Sequence, residues 1–160
     1  MRKIFVILFL SIIIISACEK DDFCVQNPVT PKLILRFYDT GNRDAFKKVK
    51  SLSVWAEGKD TITNYTSIDI DSIAIPLNPN DSKTIYHFKM NNIDGKKINN
   101  KEETFTIDYT PKNEYVSRSC GFKVIFNNVS FSPNNTWITD FTAIETTIDN
   151  QNSAHVQVFH

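Results

Sequence analysis

The sequence is poor in the residue types on which most nucleotide-binding and catalytic motifs depend. Its 160 residues include only 4 glycines and 3 histidines. The glycines are all isolated from one another in the chain: Gly41, Gly58, Gly95 and Gly121. A phosphate-binding loop needs several closely spaced glycines, because they let the backbone approach the phosphate. No such loop can be built from this chain.

None of the three histidines, His87, His155 and His160, lies in an H-E-x-x-H motif. On a strand, His155 and His160 have opposite parity, so we expect them to point to different faces. The sequence contains no G-x-S-x-G or S-x-x-K nucleophile motif. We therefore predict no catalytic residues, no metal site and no cofactor. A hydrolase is an alternative hypothesis, and it would need a convergent histidine or carboxylate pair.

The chain also lacks an excess of positive charge, since 18 Lys and Arg balance 18 Asp and Glu. Removing residues 1–17 would remove Arg2 and Lys3, leaving 16 basic against 18 acidic residues and a net charge of −2. Proteins that bind nucleic acid carry clustered positive charge. We therefore expect no nucleic-acid partner.

The N-terminus has the pattern of a secretory signal. M-R-K is followed by the apolar run I-F-V-I-L-F-L-S-I-I-I-I and then by Ser16, Ala17 and Cys18. The run is shorter than the roughly 20 apolar residues of a membrane-spanning helix. We predict a signal peptide over 1–17, a tether over 18–27 and one folded domain over 28–160. An uncleaved N-terminal anchor is the alternative.

The segment I-S-A-C, residues 15–18, resembles the lipobox of bacterial lipoproteins. The resemblance implies that a diacylglyceryl group is attached to the Cys18 sulfur, that cleavage follows Ala17, and that the new N-terminus is acylated. One acyl chain binds a membrane only marginally, and stable anchoring needs more than one. The expected partner is therefore a membrane, held through the lipid on Cys18.

The charged residues that follow resemble the surface-export signal of Bacteroidetes lipoproteins, a lysine and two acidic residues just after the lipidated cysteine. They are Glu19, Lys20, Asp21 and Asp22. The resemblance implies display on the outer face of the outer membrane. The alternative is an ordinary solvated spacer on an anchor that faces the periplasm.

Lipidation of Cys18 would leave Cys24 and Cys120, and two cysteines in an exported chain imply one disulfide. Two free buried thiols are the alternative. A bridge would close a loop of nearly one hundred residues, and the chain-entropy estimate for such a loop is at most about 4–5 kcal/mol. Only residues 19–23 would remain free between the lipid and the bridge, and they span at most about 18 Å.

From residue 32 onward, apolar residues alternate with polar ones, as in half-buried strands. The clearest runs are residues 32–38, 52–56, 85–90, 104–109, 121–126 and 155–160. Turn-forming residues lie between them, at 78–81, 93–96, 110–113 and 132–135. We therefore predict an all-β fold, an antiparallel β-sandwich of immunoglobulin-like or related type with eight or nine strands.

Two tryptophans are candidates for stacking on a sugar or a peptide, and Tyr38 is a third aromatic candidate. Trp55 has the parity opposite to Leu52 and Val54, which predicts that it faces outward, and Trp137 is expected to start a strand. Hydrophobic packing is the alternative for both.

Two short triplets, D-T-I around Thr61 and D-S-I around Ser72, resemble the O-glycosylation acceptor of exported Bacteroidetes proteins. A glycan at either position requires a hydroxyl that faces water.

Several segments together resemble a family of uncharacterised Bacteroidetes lipoproteins, a domain of unknown function. They are L-I-L-R-F-Y-D (33–39), D-S-I-A-I-P-L (71–77), S-C-G-F-K-V-I-F (119–126) and H-V-Q-V-F (155–159). The resemblance implies a Cys24–Cys120 disulfide and supplies no catalytic residues. We expect a non-enzymatic interaction or structural module of the envelope, with a protein partner. A surface lipoprotein that binds a glycan or peptide is the alternative.

Overall fold

The computed structural model describes Cys24 and residues 29–93 and 99–160. Several predictions fall outside the described residues: the signal peptide 1–17, Cys18, the export residues Glu19, Lys20, Asp21 and Asp22, and most of the turn at 93–96. Within the described residues, no helix has the length and apolar character needed to cross a membrane.

The described residues form nine strands and one short 3₁₀ helix, Thr63–Tyr65. The strands are β1 (Leu33–Tyr38), β2 (Val49–Ala56), β3 (Ile68–Ile70), β4 (Ser72–Ile75), β5 (Lys83–Met90), β6 (Lys101–Ser117), β7 (Gly121–Pro133), β8 (Asp140–Ala143) and β9 (Val156–Phe159). They build two packed sheets, of order β4-β1-β9-β8 and β3-β2-β5-β6-β7. The predicted all-β sandwich is confirmed.

The core lies between the sheets and follows the alternation of the sequence. On β1, Leu33, Leu35 and Phe37 are fully buried, while the residues between them are half-buried. Val156 and Val158 of β9 are also fully buried. Alternate side chains of a strand point to opposite faces, so the period-two pattern identifies the inner face of each sheet.

The chain moves from one sheet to the other within a few residues. β3 pairs with β2, and β4, which begins two residues after the end of β3, pairs with β1. At the corner, the carbonyl of Asp71 accepts the main-chain N–H of Phe37 at 2.8 Å. A strand that changes sheets in this way closes one side of a sandwich.

The structure departs from the prediction in three details. β1 and β9 pair in parallel, with Leu35 opposite Val156, so one pair of the sandwich is not antiparallel. The predicted turn at 110–113 is wrong, because β6 continues through Pro111 to Ser117. Trp137 does not start a strand but lies in the loop between β7 and β8.

That loop is held by a buried carboxylate. Glu103 on β6 shares its parity with the core residues Phe105 and Ile107 and is 0 % exposed. Its oxygens accept four main-chain N–H groups of the loop, from Asn135 (2.9 Å), Thr136 (2.7 Å), Trp137 (3.3 Å) and Ile138 (3.5 Å). A buried charge is tolerated only when hydrogen bonds replace its lost hydration, and this loop supplies them.

A second pair of bonds aligns the loop with β6. The main-chain N–H of Thr104 donates to the Asn134 side-chain oxygen at 3.0 Å, and the N–H of Asn134 donates to the Thr104 carbonyl at 3.0 Å. Because β7 belongs to the five-stranded sheet and β8 to the four-stranded sheet, the loop is one of the connections between the two layers.

The chain forms two compact units. The larger comprises Thr30–Glu114 and Val124–His160, and it contains the whole hydrophobic core. The smaller comprises residues 1–29 and Tyr115–Lys123, of which Cys24, Val29 and the second segment are described. We call Tyr115–Lys123 the hairpin end, since it holds the turn between β6 and β7.

We expect Glu103→Ala to lower the free energy of unfolding by about 3–5 kcal/mol, because it leaves two buried and two part-buried N–H groups without their acceptor. Glu103→Gln keeps one oxygen and should cost less. Urea denaturation would measure both. The matched control is Glu102→Gln, whose carboxylate is 44 % exposed and should change stability by less than about 1 kcal/mol. Equal effects at the two positions would contradict the role of Glu103.

Candidate functional site

An aromatic pair lies on the outer face of the five-stranded sheet. Pairing of β2 with β5 places Trp55 directly opposite His87, and their rings stack with centroids 5.2 Å apart and planes 12° apart. Leu52 and Val54 are buried, so Trp55 faces outward as its parity predicts, and it is half-buried. Stacking on His87 therefore fixes the orientation of the Trp55 ring.

The His87 ring is held in turn by side-chain oxygens. Its Nε2 bonds to the Glu57 carboxylate, and its Nδ1 lies 3.3 Å from a Glu102 carboxylate oxygen and 3.5 Å from the Thr104 hydroxyl. Both ring nitrogens thus face oxygens of the protein, and neither is open toward a ligand. In this arrangement His87 acts as a support for Trp55.

A shallow cavity of about 310 Å³ opens beside Trp55. Apart from the indole, every side chain that lines it is polar or charged: Lys59, Asp60, Thr61, Lys89 and Asn92. The volume is at the lower end of the range for ligand sites, about 300–1,000 Å³. An aromatic ring beside hydrogen-bond donors and acceptors suits a small ligand with one apolar face and polar edges.

The backbone that lines this cavity is fixed by the turn after β2. Gly58 has a φ of +68°, a conformation that glycine adopts without strain. The N–H of Lys59 donates to the Ala56 carbonyl at 3.0 Å, and the N–H of Ile62 donates to the Val54 carbonyl at 2.8 Å. The turn therefore brings residues 59–61 back over the strand that carries Trp55.

A larger cavity, of about 720 Å³, lies at the start of β5 and along the segment before it. The tyrosine hydroxyl in this cavity already has a hydrogen-bond partner, because Tyr86 donates to the Pro76 carbonyl at 2.5 Å. Burial, with a smaller effect of Tyr109, raises the pKa of Tyr86 well above its usual value. This hydroxyl is bonded within the protein, so the cavity beside Trp55 is the stronger candidate for a binding site.

Trp137 does not fit its predicted role as a surface stacking residue. It is 6 % exposed, and its indole N–H donates to the Phe88 carbonyl at 3.0 Å. Its ring packs against Phe37 and His160, with centroids 6.2 Å and 5.5 Å away. The Glu103 carboxylate holds its main chain, so the ring is part of the core.

A third cavity, of about 370 Å³, lies beside Trp137 and is lined by four lysines. Lys47 pairs with the Asp39 carboxylate at 3.3 Å, and Lys50 pairs with the Asp69 carboxylate at 2.8 Å. These bonds neutralise half of the lysine set, so the cavity is a weaker candidate for an anion than the charge count suggests.

The histidines do not converge. His155 is 0 % exposed and its Nδ1 accepts the Ile34 N–H at 3.0 Å, whereas His160 packs edge-on against Trp137. Burial lowers the pKa of both imidazoles. Among Cys24 and residues 29–93 and 99–160, no three His, Cys, Asp or Glu side chains form a metal-binding group.

The two predicted acceptor hydroxyls differ in their surroundings. Thr61 is exposed at the rim of the Trp55 cavity. Ser72 is half-buried in β4, and its hydroxyl donates to the Leu35 carbonyl at 3.3 Å. Thr61 therefore meets the requirement for a water-facing hydroxyl better than Ser72.

The predicted disulfide is present in the structure. Cys24 and Cys120 are bonded, with their Cα atoms 4.7 Å apart and a sequence separation of 96. The alternative of two free thiols is wrong.

The partners of Trp55 were not found by sequence reasoning. The spacing between residues 55 and 87 carries no indication that they pair, since only the strand register brings them together. Residues 59 and 60 belong to a turn, and Lys89 shares the parity of His87, which would have indicated the same outer face.

We predict that stability falls as the pH drops from about 7.5 toward 5. The folded-state pKa of His155 lies below the unfolded value of about 6.5, because burial outweighs the attraction of Glu145. As the pH falls, the unfolded chain therefore takes up a proton on this histidine before the folded chain does. Each histidine with a lowered folded-state pKa then decreases the unfolding free energy by up to about 1.4 kcal/mol per pH unit. Thermal unfolding at several pH values would measure it. His155→Gln should flatten the curve, and parallel curves would contradict this assignment.

Comparison with known families matches residues 51–160 to a family of unknown function, DUF6452. The match begins inside β2, whereas β1, an inner strand of the four-stranded sheet, precedes it. Comparison with curated proteins and with solved structures finds no match. The matched segment covers more than half of the chain and contains the Trp55 cavity. The chain therefore belongs to the family of unknown function DUF6452.

Proposed function

We propose that this chain is a lipid-anchored, non-enzymatic binding module of a bacterial envelope, and that it binds a glycan at Trp55. The observation that carries the binding role is the half-buried indole that His87 holds beside a cavity of polar side chains. The anchor and the address rest on the sequence around Cys18.

A sugar ring matches the chemistry of this site. One face of a pyranose presents C–H groups that pack on an indole, and its edge carries hydroxyls that need hydrogen bonds. Asp60 can accept, Lys59 and Lys89 can donate, and Asn92 can do both. The cavity holds about 310 Å³, so it suits one sugar unit, with the rest of the glycan extending into solvent. A peptide is the competing ligand.

The edges of the two sheets are less suited to binding a partner than the outer face that carries Trp55. β3 and β8, at one edge of each sheet, are only 3 and 4 residues long. The long edge strand β7 is partly covered, because Phe126 and Ile148 exchange main-chain hydrogen bonds at 3.0 Å and 2.7 Å. Short or covered edges offer few open N–H and C=O groups to an added strand.

The anchor fits the resemblance of I-S-A-C to a lipobox, with lipid on Cys18. The charged run that follows supports export to the outer face of the outer membrane in a Bacteroidetes cell. A module displayed there would meet glycans of its own envelope or of its surroundings. A glycan at Thr61 would lie at the rim of the Trp55 cavity, so this modification, if present, would restrict the site.

The binding role predicts that tryptophan fluorescence changes when soluble oligosaccharides, neutral and acidic, are titrated. Trp55→Ala should weaken binding about tenfold or more, since it removes the stacking surface. Isothermal titration calorimetry would measure the affinity of that variant independently of the lost fluorophore. Phe46→Ala is the matched control, because Phe46 is an exposed aromatic residue (56 %) outside the cavity. Unchanged affinity in Trp55→Ala would place the site elsewhere. A response to peptides alone would show that the ligand is a peptide and not a glycan.

The anchor predicts that labelled palmitate is incorporated into the wild-type protein and not into Cys18→Ser. The wild-type protein should remain with the outer membrane after washing with salt, because acyl chains rather than charge hold it. Protease treatment of intact cells would show which face carries the domain. A Cys18→Ser protein of the same processed mass that still partitions with membranes would contradict the anchor.

A further inference from the structure

The hairpin end carries two exposed aromatic residues that contact each other. Tyr115 on β6 and Phe122 on β7 pack edge to face, with ring centroids 5.4 Å apart. The turn between them is compact, since Gly121 has a φ of +71° and the Cys120 N–H donates to the Ser117 hydroxyl at 3.0 Å. The pair is therefore presented on an ordered turn.

The two side chains are 60 % and 65 % exposed, the highest values among the exposed large hydrophobic residues of the described chain. Single exposed hydrophobic residues are common on soluble proteins and need no explanation. Two adjoining aromatic rings at the end of a hairpin form a continuous apolar surface, which water solvates poorly. Covering such a surface with a less polar phase lowers the free energy of the system.

The disulfide places this surface close to the proposed lipid. Cys120 lies in the turn between the two aromatic residues and is bonded to Cys24. Residues 19–23 separate Cys24 from Cys18, and a chain of five residues spans at most about 18 Å. If Cys18 carries the lipid, as proposed above, the hairpin end cannot move far from the membrane surface.

The charge and chemistry of the turn fit a lipid surface. Arg118, at the first position of the turn, is exposed and forms no ion pair with any residue that the structure describes. Guanidinium groups bind phosphate oxygens in a bidentate manner. A tyrosine ring, apolar in its body and polar at its tip, is favoured at the boundary between headgroups and acyl chains.

We propose that the hairpin end docks on the lipid surface, with Tyr115 and Phe122 at the headgroup–acyl boundary and Arg118 on lipid phosphates. The anchor then holds the protein in the membrane, and the disulfide-linked hairpin fixes which part of the smaller unit faces the lipid. This inference rests on the proposed anchor and is independent of the glycan site.

The test uses the protein that begins at Cys18, which retains every described residue. The disulfide leaves Cys18 as the free thiol, so a maleimide phospholipid can be coupled to it. Phe122→Trp places a fluorophore in the hairpin end. In vesicles of phosphatidylcholine and phosphatidylglycerol with brominated acyl chains, its emission should be quenched at least about twofold more than in unbrominated vesicles, because bromine quenches indole only at short range. The coupled protein without this substitution corrects for Trp55 and Trp137.

The matched control is Phe46→Trp, at an aromatic position of similar exposure that belongs to the larger unit. Equal quenching at positions 46 and 122, or none at 122, would overturn the docking. Fluorescence at position 122 that changes with protein concentration, in the absence of lipid, would show a contact between copies of the chain and would also overturn it. The chemical coupling supplies the lipid, so a chain found unlipidated in cells would remove the proposed anchor without affecting this measurement.

Discussion

The carboxylate of Glu103 holds the last of the segments by which the chain crosses from one sheet to the other, the loop between β7 and β8. It is fully buried and accepts N–H groups from four consecutive loop residues. The loop has few main-chain partners of its own, and buried N–H groups without acceptors would be costly. A single side chain on β6 thus accepts main-chain N–H groups of the loop that regular strand pairing leaves without a partner.

The Glu103 carboxylate helps to place only one of the two tryptophans. It fixes the main chain of Trp137, whose ring then fills the core and bonds the Phe88 carbonyl. Trp55 lies on the other face of the same sheet, where strand register pairs it with His87. The fold therefore uses one indole for packing and presents the other beside a polar cavity. Binding at Trp55 would require no rearrangement of the core.

The sequence predicts the sandwich well because period-two alternation reports which face of a strand is buried, as Leu33, Leu35 and Phe37 show. It predicts less where contacts depend on register or on loops. Glu103 was not identified from the sequence, because the N–H groups that donate to its carboxylate lie some thirty residues away, in a loop without periodicity. Proline at 111 suggested a turn, yet β6 continues through it.

The measurement that tests this account most directly is acrylamide quenching of tryptophan fluorescence in the wild-type protein and in Trp55→Phe. The account predicts two classes of emission in the wild type, one accessible and one protected. In Trp55→Phe only the protected class should remain, with a several-fold smaller quenching slope, because the Glu103 carboxylate keeps Trp137 in the core. A slope in Trp55→Phe equal to or larger than that of the wild type would contradict it.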